Sequence, residues 1–593
     1  MKNTDQSMNN GIESRKTINQ TRYLIEQRRE ILSLPPDKAL ERILNAHHPG
    51  ALVRSFPKED FYFLIHDIGP EDAISLLSLA SYKQWEYIFD LETWEKDRVE
   101  LTSVTNWLHL LLRANPNRLI KWFLDEKAEF IEFYLFRNIE VRIREHDQDP
   151  SDFGRDFFTF DNTYYVRIID EPLTAESEAA GNEHKRKFIY EFLNSLSSYN
   201  HLKYQSILLE TERILPAETE EEAYRLRNVR LAESGFLPFD EAIGIYQPLT
   251  VQDLQSTSSK FIVHQAEQNL FFPVPIYPSV TLMEGDIFAG ALEAIETDHV
   301  LHQIQTEFAG LCNLIIAADQ NKIRDREQLK GIVKKACGYI SIGLESLAEG
   351  NSGLDIHRTA ALIQRYPLSG IFKVGYGRAL QLKWRTERWK EKAWFAKEGL
   401  PLSFWGEEWL GVLGGLLLKK PLFFENYKTG LLYRDFSSID EIEETDGVLN
   451  EIIVFDDLLS LMPINLEGLR RQFLTYKNLV LTLWARHYLG LSRDPLPLTL
   501  EEFRNFFNAL WADDEQSQKI SLWMKENFLN WFAGETGIDV FDISQRLAKS
   551  LENLFSEISS EYGQVLKKDL DPRFIYLFLI EKPESKKNVE TRL

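Results

Sequence analysis

Two cysteines, Cys312 and Cys337, are all that 593 residues contain. That scarcity excludes a disulfide framework and zinc sites built on several cysteine ligands, and a reducing cytoplasmic compartment is the natural setting. Positive charge is also in short supply: 68 Lys and Arg face 91 Asp and Glu, a formal net charge of −23. A surface that repels phosphate backbones argues against general nucleic-acid binding, and self-repulsion keeps such a chain dispersed. Long apolar runs are missing too. The richest, WLGVLGGLLL from Trp409 to Leu418, is ten residues between Glu407-Glu408 and Lys419-Lys420. A bilayer span needs about twenty, so this run reads as a buried helix. The first twenty residues are polar, without the apolar stretch of a signal peptide. Glycine motifs fail as well. Gly375 and Gly377 lack the third glycine of a dinucleotide loop, Gly411, Gly414 and Gly415 stand at the wrong spacing from Lys419 and Lys420 for a phosphate loop, and no Gly-x-Ser-x-Gly elbow occurs. No cofactor is indicated.

Apolar helices are abundant. Hydrophobic residues make up 44% and aromatics 12% of the chain, with 13 Trp and 38 Phe, enough for several folded cores. Between about Pro35 and Phe136 short apolar stretches at helical spacing are separated by breaks at Pro35-Pro36, Pro57, Gly69-Pro70, Ser81, Thr102 and Asn115-Pro116. Each break joins a proline or a capping side chain to the start of an apolar stripe, as a helix first turn does. Helices this short are marginal alone and must bury their stripes on one another. Breaks near 36, 57, 81 and 102 imply a repeat of roughly 21–24 residues. The stripes include Phe61, Leu64 and Ile65, then Trp85, Ile88 and Phe89, then Trp107, Leu108 and Leu111.

The fold expected is mainly α, with an N-terminal helical-repeat array and a larger helical body carrying small β elements. The organisation read is a disordered lead at 1–19, a helical-repeat domain at 20–137 and a hairpin with helices at 138–250. A central helical domain at 251–435, a C-terminal helical domain with minor strands at 436–581 and a polar tail at 582–593 complete it. FFTFDNTYYVRI (Phe157–Ile168) is β-branched and aromatic on both sides of Asp-Asn and reads as a hairpin. A second hairpin is expected at Phe423-Phe424 and Leu431–Tyr433. Strands are expected at Ile452–Phe455 and Phe574–Ile580, polar loops at Asp170–Lys185 and 250–260, and extended chain at Phe271–Met283, where three prolines occur.

Candidate sites compete with structural readings. From Lys373 to Lys397 eight basic residues stand against Glu387 and Glu391, with Trp384, Trp389 and Trp394 interleaved. Lys383, Trp384, Arg385, Arg388, Trp389 and Lys392 form a candidate docking face for an acidic protein partner or for an acidic segment of the chain itself, such as Asp440–Asp446. The structural alternative is an amphipathic helix with its tryptophans turned inward. Arg225, Arg227 and Arg230 suit bidentate pairing to acids and read as an inter-domain clamp. Glu296, His299 and His302, spaced i, i+3 and i+6, would be the start of a metal site, but a di-iron bundle needs a second such set. His66-Asp67 and His146-Asp147 are pairs that a metal-dependent phosphohydrolase uses, and they also arise by chance among 12 His and 91 acids.

RLRNVRLAESGFLPFDEA (Arg225–Ala242), LPPDKALERILNA (Leu34–Ala46), IHDIGPEDAISLLSLAS (Ile65–Ser81) and the 157–168 hairpin resemble the uncharacterised bacterial domain-of-unknown-function family 6178. That resemblance spans most of the chain and implies no activity and no catalytic residues. The N-terminal array also resembles, through generic leucine-rich helices, the repeats of magnesium-transporter cytosolic domains. On these grounds the function is unknown. The reading favoured is a cytosolic, non-catalytic scaffold or regulatory interaction protein, and the alternative is a metal-dependent hydrolase-like enzyme with its site in the central helical body.

Overall fold

A computed structural model describes residues 24, 26–28, 30–170, 176–211, 215–260, 287–348, 355–467, 474–511 and 519–581. The readings for 1–19, 271–283 and 582–593 lie outside the described residues. The chain is mainly α, 69% helical, with only small antiparallel strand pairs. It divides into two compact units. The first comprises Met1–Gln247, Ser259–Ala336 and Ile356–Ser369, and the second Pro248–Ser258, Cys337–Asp355 and Gly370–Leu593.

In the first unit the N-terminal array consists of helices Pro36–Leu44, Pro49–Ser55, Lys58–Ile68, Ile74–Leu79, Tyr82–Glu92, Leu101–Ala114, Pro116–Glu126 and Ala128–Asn138. Proline supplies the first turn at residues 36, 49 and 116, where its missing N–H costs nothing. Ser81 and Gln84 form a capping box, and the Glu100 and Asn115 side chains accept from the first free N–H groups of the helices that follow them. The intervals starting near 36 and 57 each contain two helices. The interval starting at 81 holds one helix and a two-residue ribbon pairing Trp94 with Val99. Phe61, Trp85, Leu108, Trp122 and Phe123 are buried together with the apolar faces of Glu176–Tyr199 and His201–Glu210. The short helices are therefore stabilised as a set.

The 157–168 hairpin forms, and a third strand joins it. Tyr164–Ile168 lies between Phe157–Phe158 and Ile139–Ile143, with Val141 opposite Val166 and Ile139 opposite Ile168. Only five residues long and directly following a helix, Ile139–Ile143 gives too short a period-2 signal to stand out. The expected loop at Asp170–Lys185 is corrected: a helix begins at Glu176. The Glu and Ala residues there are good helix formers, and the apolar face from Phe188 to Leu196 anchors the turns before it.

Four corrections concern the second unit. The 250–260 loop contains helix Val251–Ser256, started by a capping box of Thr250 and Asp253. Ile452–Phe455 is not a strand but lies inside helix Ile439–Leu461. There Ile442, Thr445, Leu449, Ile452, Phe455 and Leu459 are buried at helical spacing, and that packing overrides local β propensity. Phe574–Ile580 forms no strand. It is irregular, bent chain tied by a parallel bridge from Ile580 to Leu498 and by hydrogen bonds from its N–H groups to Tyr562 and Thr482. The second hairpin forms, but its second strand is Tyr433–Arg434 rather than Leu431–Tyr433, with Phe423 opposite Arg434 and Phe424 opposite Tyr433.

The motif glycines have a packing role. A Cβ on Gly343 would overlap Ile371 C=O, and one on Gly375 would overlap Tyr339 C=O, so two helix backbones cross here with no room for a side chain. Gly411 and Gly415 press helix Gly406–Leu417 onto Phe424 and Leu422 of the hairpin. Among the described residues no helix is long and apolar enough to cross a membrane.

Candidate functional site

The basic stretch lies on helix Leu368–Lys390 and on the short helix Trp394–Lys397 after it. Heptad-like spacing divides its residues between two environments. Leu382 and Thr386 point into the unit, and Trp389 packs on Phe395 and Trp405 with ring centroids 5.4 and 5.9 Å away. Asp456 anchors the turn, accepting from the Trp394 and Phe395 N–H groups at 2.9 and 3.1 Å. Arg385 is committed to Asp446 at 2.6 Å and to Asn450, so an acidic segment of the chain itself takes this cation. Lys383 donates to Leu418 C=O at 2.8 Å and pairs with Glu387 at 2.8 Å.

Three of the six candidate residues remain outward. Trp384 exposes 42% of its surface, and Arg388, bonded through Nε to Trp384 C=O at 3.2 Å, lies one turn on. Lys392 is exposed, as are Lys390, Lys397 and Lys419, with Glu391 among them. Leu418, 41% exposed, lies beside Lys383 and adds an apolar neighbour. The result is an indole with guanidinium and ammonium groups on a helix of 23 residues, chemistry suited to carboxylates and flat or aliphatic side chains.

The arginine trio resolves differently. Arg230 holds Asp90 with two bonds, 2.8 and 2.7 Å, and reaches Glu86 at 3.1 Å. Arg227 Nε donates to Asp90 C=O at 2.7 Å. Among the described residues Arg225 pairs only along its own helix, with Glu222. Burial pushes the Asp90 carboxyl up from its ordinary range and Arg230 pulls it back, and the two short bonds are those of an ion pair. Helices Tyr82–Glu92 and Pro216–Ala232, which these bonds join, belong to the same compact unit. Arg230→Ala is expected to cost roughly 2–4 kcal/mol, because it strands a buried carboxylate, while Arg225→Ala should leave stability unchanged; urea midpoints of the two variants check this.

A node that the sequence did not reveal sits at the end of the same helix. Glu92 is 2% exposed. Its carboxylate accepts from Tyr62 Oη at 2.6 Å and from Arg324 at 3.2 and 2.7 Å, and His66 Nε2 lies 3.3 Å away. Its carbonyl accepts from Lys322 Nζ at 2.7 Å. Burial alone would raise the Glu92 carboxyl, but the adjacent His66 ring and the bonds from Arg324 and Tyr62 outweigh it and hold the group well below the usual range. Burial and the Glu92 charge push Tyr62 up. With Arg227 and Lys322 on the carbonyls of Asp90 and Glu92, cations satisfy the negative end of this helix. The sequence signal was faint: one carboxylate, Glu92, inside the apolar periodicity between Leu91 and Trp94.

Other candidates do not converge. Glu296 is exposed and precedes helix Asp298–Asp319, which carries His299 and His302 in its first turns. Among the described residues no three His, Cys, Asp or Glu side chains come together to hold a metal ion. His66 is drawn into the Glu92 node, and His146 with Asp147 lies fully exposed. Cys312 is buried, and burial pushes its thiol up to about 12, which removes the thiolate needed for reactivity.

No curated protein and no solved structure matches the chain. The likeness to magnesium-transporter repeats is not shown by any comparison. One family profile, described as "Family of unknown function (DUF6178)", matches residues 16–581. The chain belongs to that family, as the motifs around Leu34, Ile65, Phe157 and Arg225 implied.

Proposed function

We propose that this protein is a cytosolic, non-catalytic scaffold or regulatory protein, and that the face formed by Trp384, Arg388 and Lys392 docks an acidic segment of a partner protein. The observation that carries the proposal is the outward Trp384 indole beside Arg388 and Lys392, exposed side chains with no ion pair among the described residues, in a chain whose overall charge is −23. Arg385 supports it by example: the same helix already receives Asp446 of its own chain. An exposed aromatic flanked by cations gives both an apolar anchor and electrostatic steering, the pattern of an interface hot spot.

The test is affinity capture of the tagged full chain from its native cytosol, with the parent, Trp384→Ala and Arg388→Glu/Lys392→Glu compared side by side. A stoichiometric partner retained by the parent and lost by both variants is expected. A partner kept by both variants would overturn the assignment to this face. The chosen residues are outward, so both variants should keep the parent thermal transition. Arg385 is left intact because its pair with Asp446 is part of the fold.

A further inference from the structure

The three-stranded sheet of the first unit has an open side. Among the described residues Ile139–Ile143 is an edge strand, paired only with Tyr164–Ile168. Two bonds fix the phase of that ladder, Ile169 N–H to Asn138 C=O at 2.8 Å and Arg144 N–H to Thr163 C=O at 2.9 Å. Bonded and non-bonded residues alternate in an antiparallel pair, so Glu140 and Arg142 turn their backbone groups toward Tyr164–Ile168. Ile139, Val141 and Ile143 turn theirs outward. The Ile139 N–H is taken by Leu135 C=O at the end of the preceding helix. The outward N–H and C=O groups of Val141 and Ile143 have no backbone partner among the described residues. Beside them runs an open cleft of about 810 Å³, lined by Val141, Ile143, Glu145, Gln148 and Phe153 among others.

This edge is complementary to itself. When two copies of Ile-Glu-Val-Arg-Ile run antiparallel about a two-fold axis at Val141, Val141 meets the partner's Val141 and Ile139 meets the partner's Ile143. Outward backbone then faces outward backbone. Val141 exchanges two bonds with its counterpart, and each Ile143 N–H donates to the opposing Ile139 C=O, giving four bonds that use every free donor once. Glu140 falls opposite the partner's Arg142 in the non-bonded pairs, where side chains approach most closely. Within one chain Glu140 is already flanked by Arg142, at 2.8 Å, and by Arg167, so pairing continues a ladder of alternating charge. Ile143, 46% exposed, gains cover in the same step.

We propose that Ile139–Ile143 pairs with the same strand of a second copy, joining two sheets into one of six strands across an isologous two-fold interface. A second copy is the occupant, rather than a foreign strand, because the charge register is satisfied by this sequence on both sides of the axis.

Sedimentation velocity on the full chain tests it. The 69.2 kDa monomer should convert to a species of twice that mass as concentration rises through about 1–100 μM, the range around a micromolar dissociation constant. Val141→Pro removes a donor that its own chain does not use and should weaken the dimer at least tenfold. Arg142→Glu sets Glu against Glu140 at both symmetry-related pairs and should weaken it similarly. Glu140→Arg combined with Arg142→Glu restores opposite charges across the axis, while setting a like charge against Arg167 within the sheet, and should recover part of the loss. If Val141→Pro fails to fold, the charge series carries the test alone. A chain that stays monomeric throughout, a dimer as tight in the variants as in the parent, or a double variant no tighter than Arg142→Glu would each overturn the proposal.

Discussion

Glu92→Ala is expected to destabilise the first unit by about 3–5 kcal/mol, the usual cost of removing one partner from a buried charged network. The loss has two parts. Tyr62 Oη and the Arg324 guanidinium lose their acceptor, and Lys322 is left bonded to a helix end without the neighbouring carboxylate. The pH dependence has a defined sign. Because the folded-state carboxyl of Glu92 is held below the ordinary value of 4.5, its stabilisation is complete above that value and is lost as pH falls below it. Urea unfolding followed by tryptophan fluorescence should therefore show the parent weakening in acid more steeply than Glu92→Gln. An alanine variant within about 1 kcal/mol of the parent, less than the loss of one charged hydrogen bond, would show that the node carries no such load.

Gly375→Ala should be comparably damaging in the second unit. The added methyl would overlap the Tyr339 carbonyl, which belongs to a helix backbone and has no rotamer to adopt. Overpacking costs about 1–3 kcal/mol when side chains can yield, and a backbone obstacle places this site at or beyond the upper limit. Gly343→Ala meets Ile371 C=O in the same way and should behave alike. Gly447 is the control: it sits inside helix Ile439–Leu461 with open space at its Cβ position. Replacing it with alanine should gain about 0.5–1 kcal/mol, the helix-propensity difference. A thermal-shift comparison of Gly375→Ala, Gly343→Ala and Gly447→Ala with the parent reads all three. Equal transitions for Gly375→Ala and Gly447→Ala would refute the close crossing.

The helical array was legible because its signals are local. Proline at 36 and 116 and the side chains of Ser81 and Asn115 act on the next few N–H groups, and no distant contact is needed for them to work. Ile452–Phe455 misled for the opposite reason: four β-favouring residues look like a strand until Leu449 and Leu459 are seen to bury the same face of one helix. Ile139–Ile143 escaped notice because its alternation covers five residues, whereas its pairing with Tyr164–Ile168 requires the chain to return. Gly375 looked like a fragment of a nucleotide loop, and only the Tyr339 backbone against it shows why a side chain is excluded.

The basic stretch shows the same division within one helix. Composition alone marks Lys373–Lys397 as a cationic, tryptophan-bearing segment in an acidic chain. It does not separate Arg385, which ends on Asp446, from Arg388, which remains outward. Fold class and helix starts follow from apolar periodicity and capping, which are properties of the chain read in order. The arginine partners of Asp90 and Glu92, 137 to 232 residues away in the chain, are settled by tertiary packing. Charge pairing acts over ångströms of space and carries no trace in sequence separation.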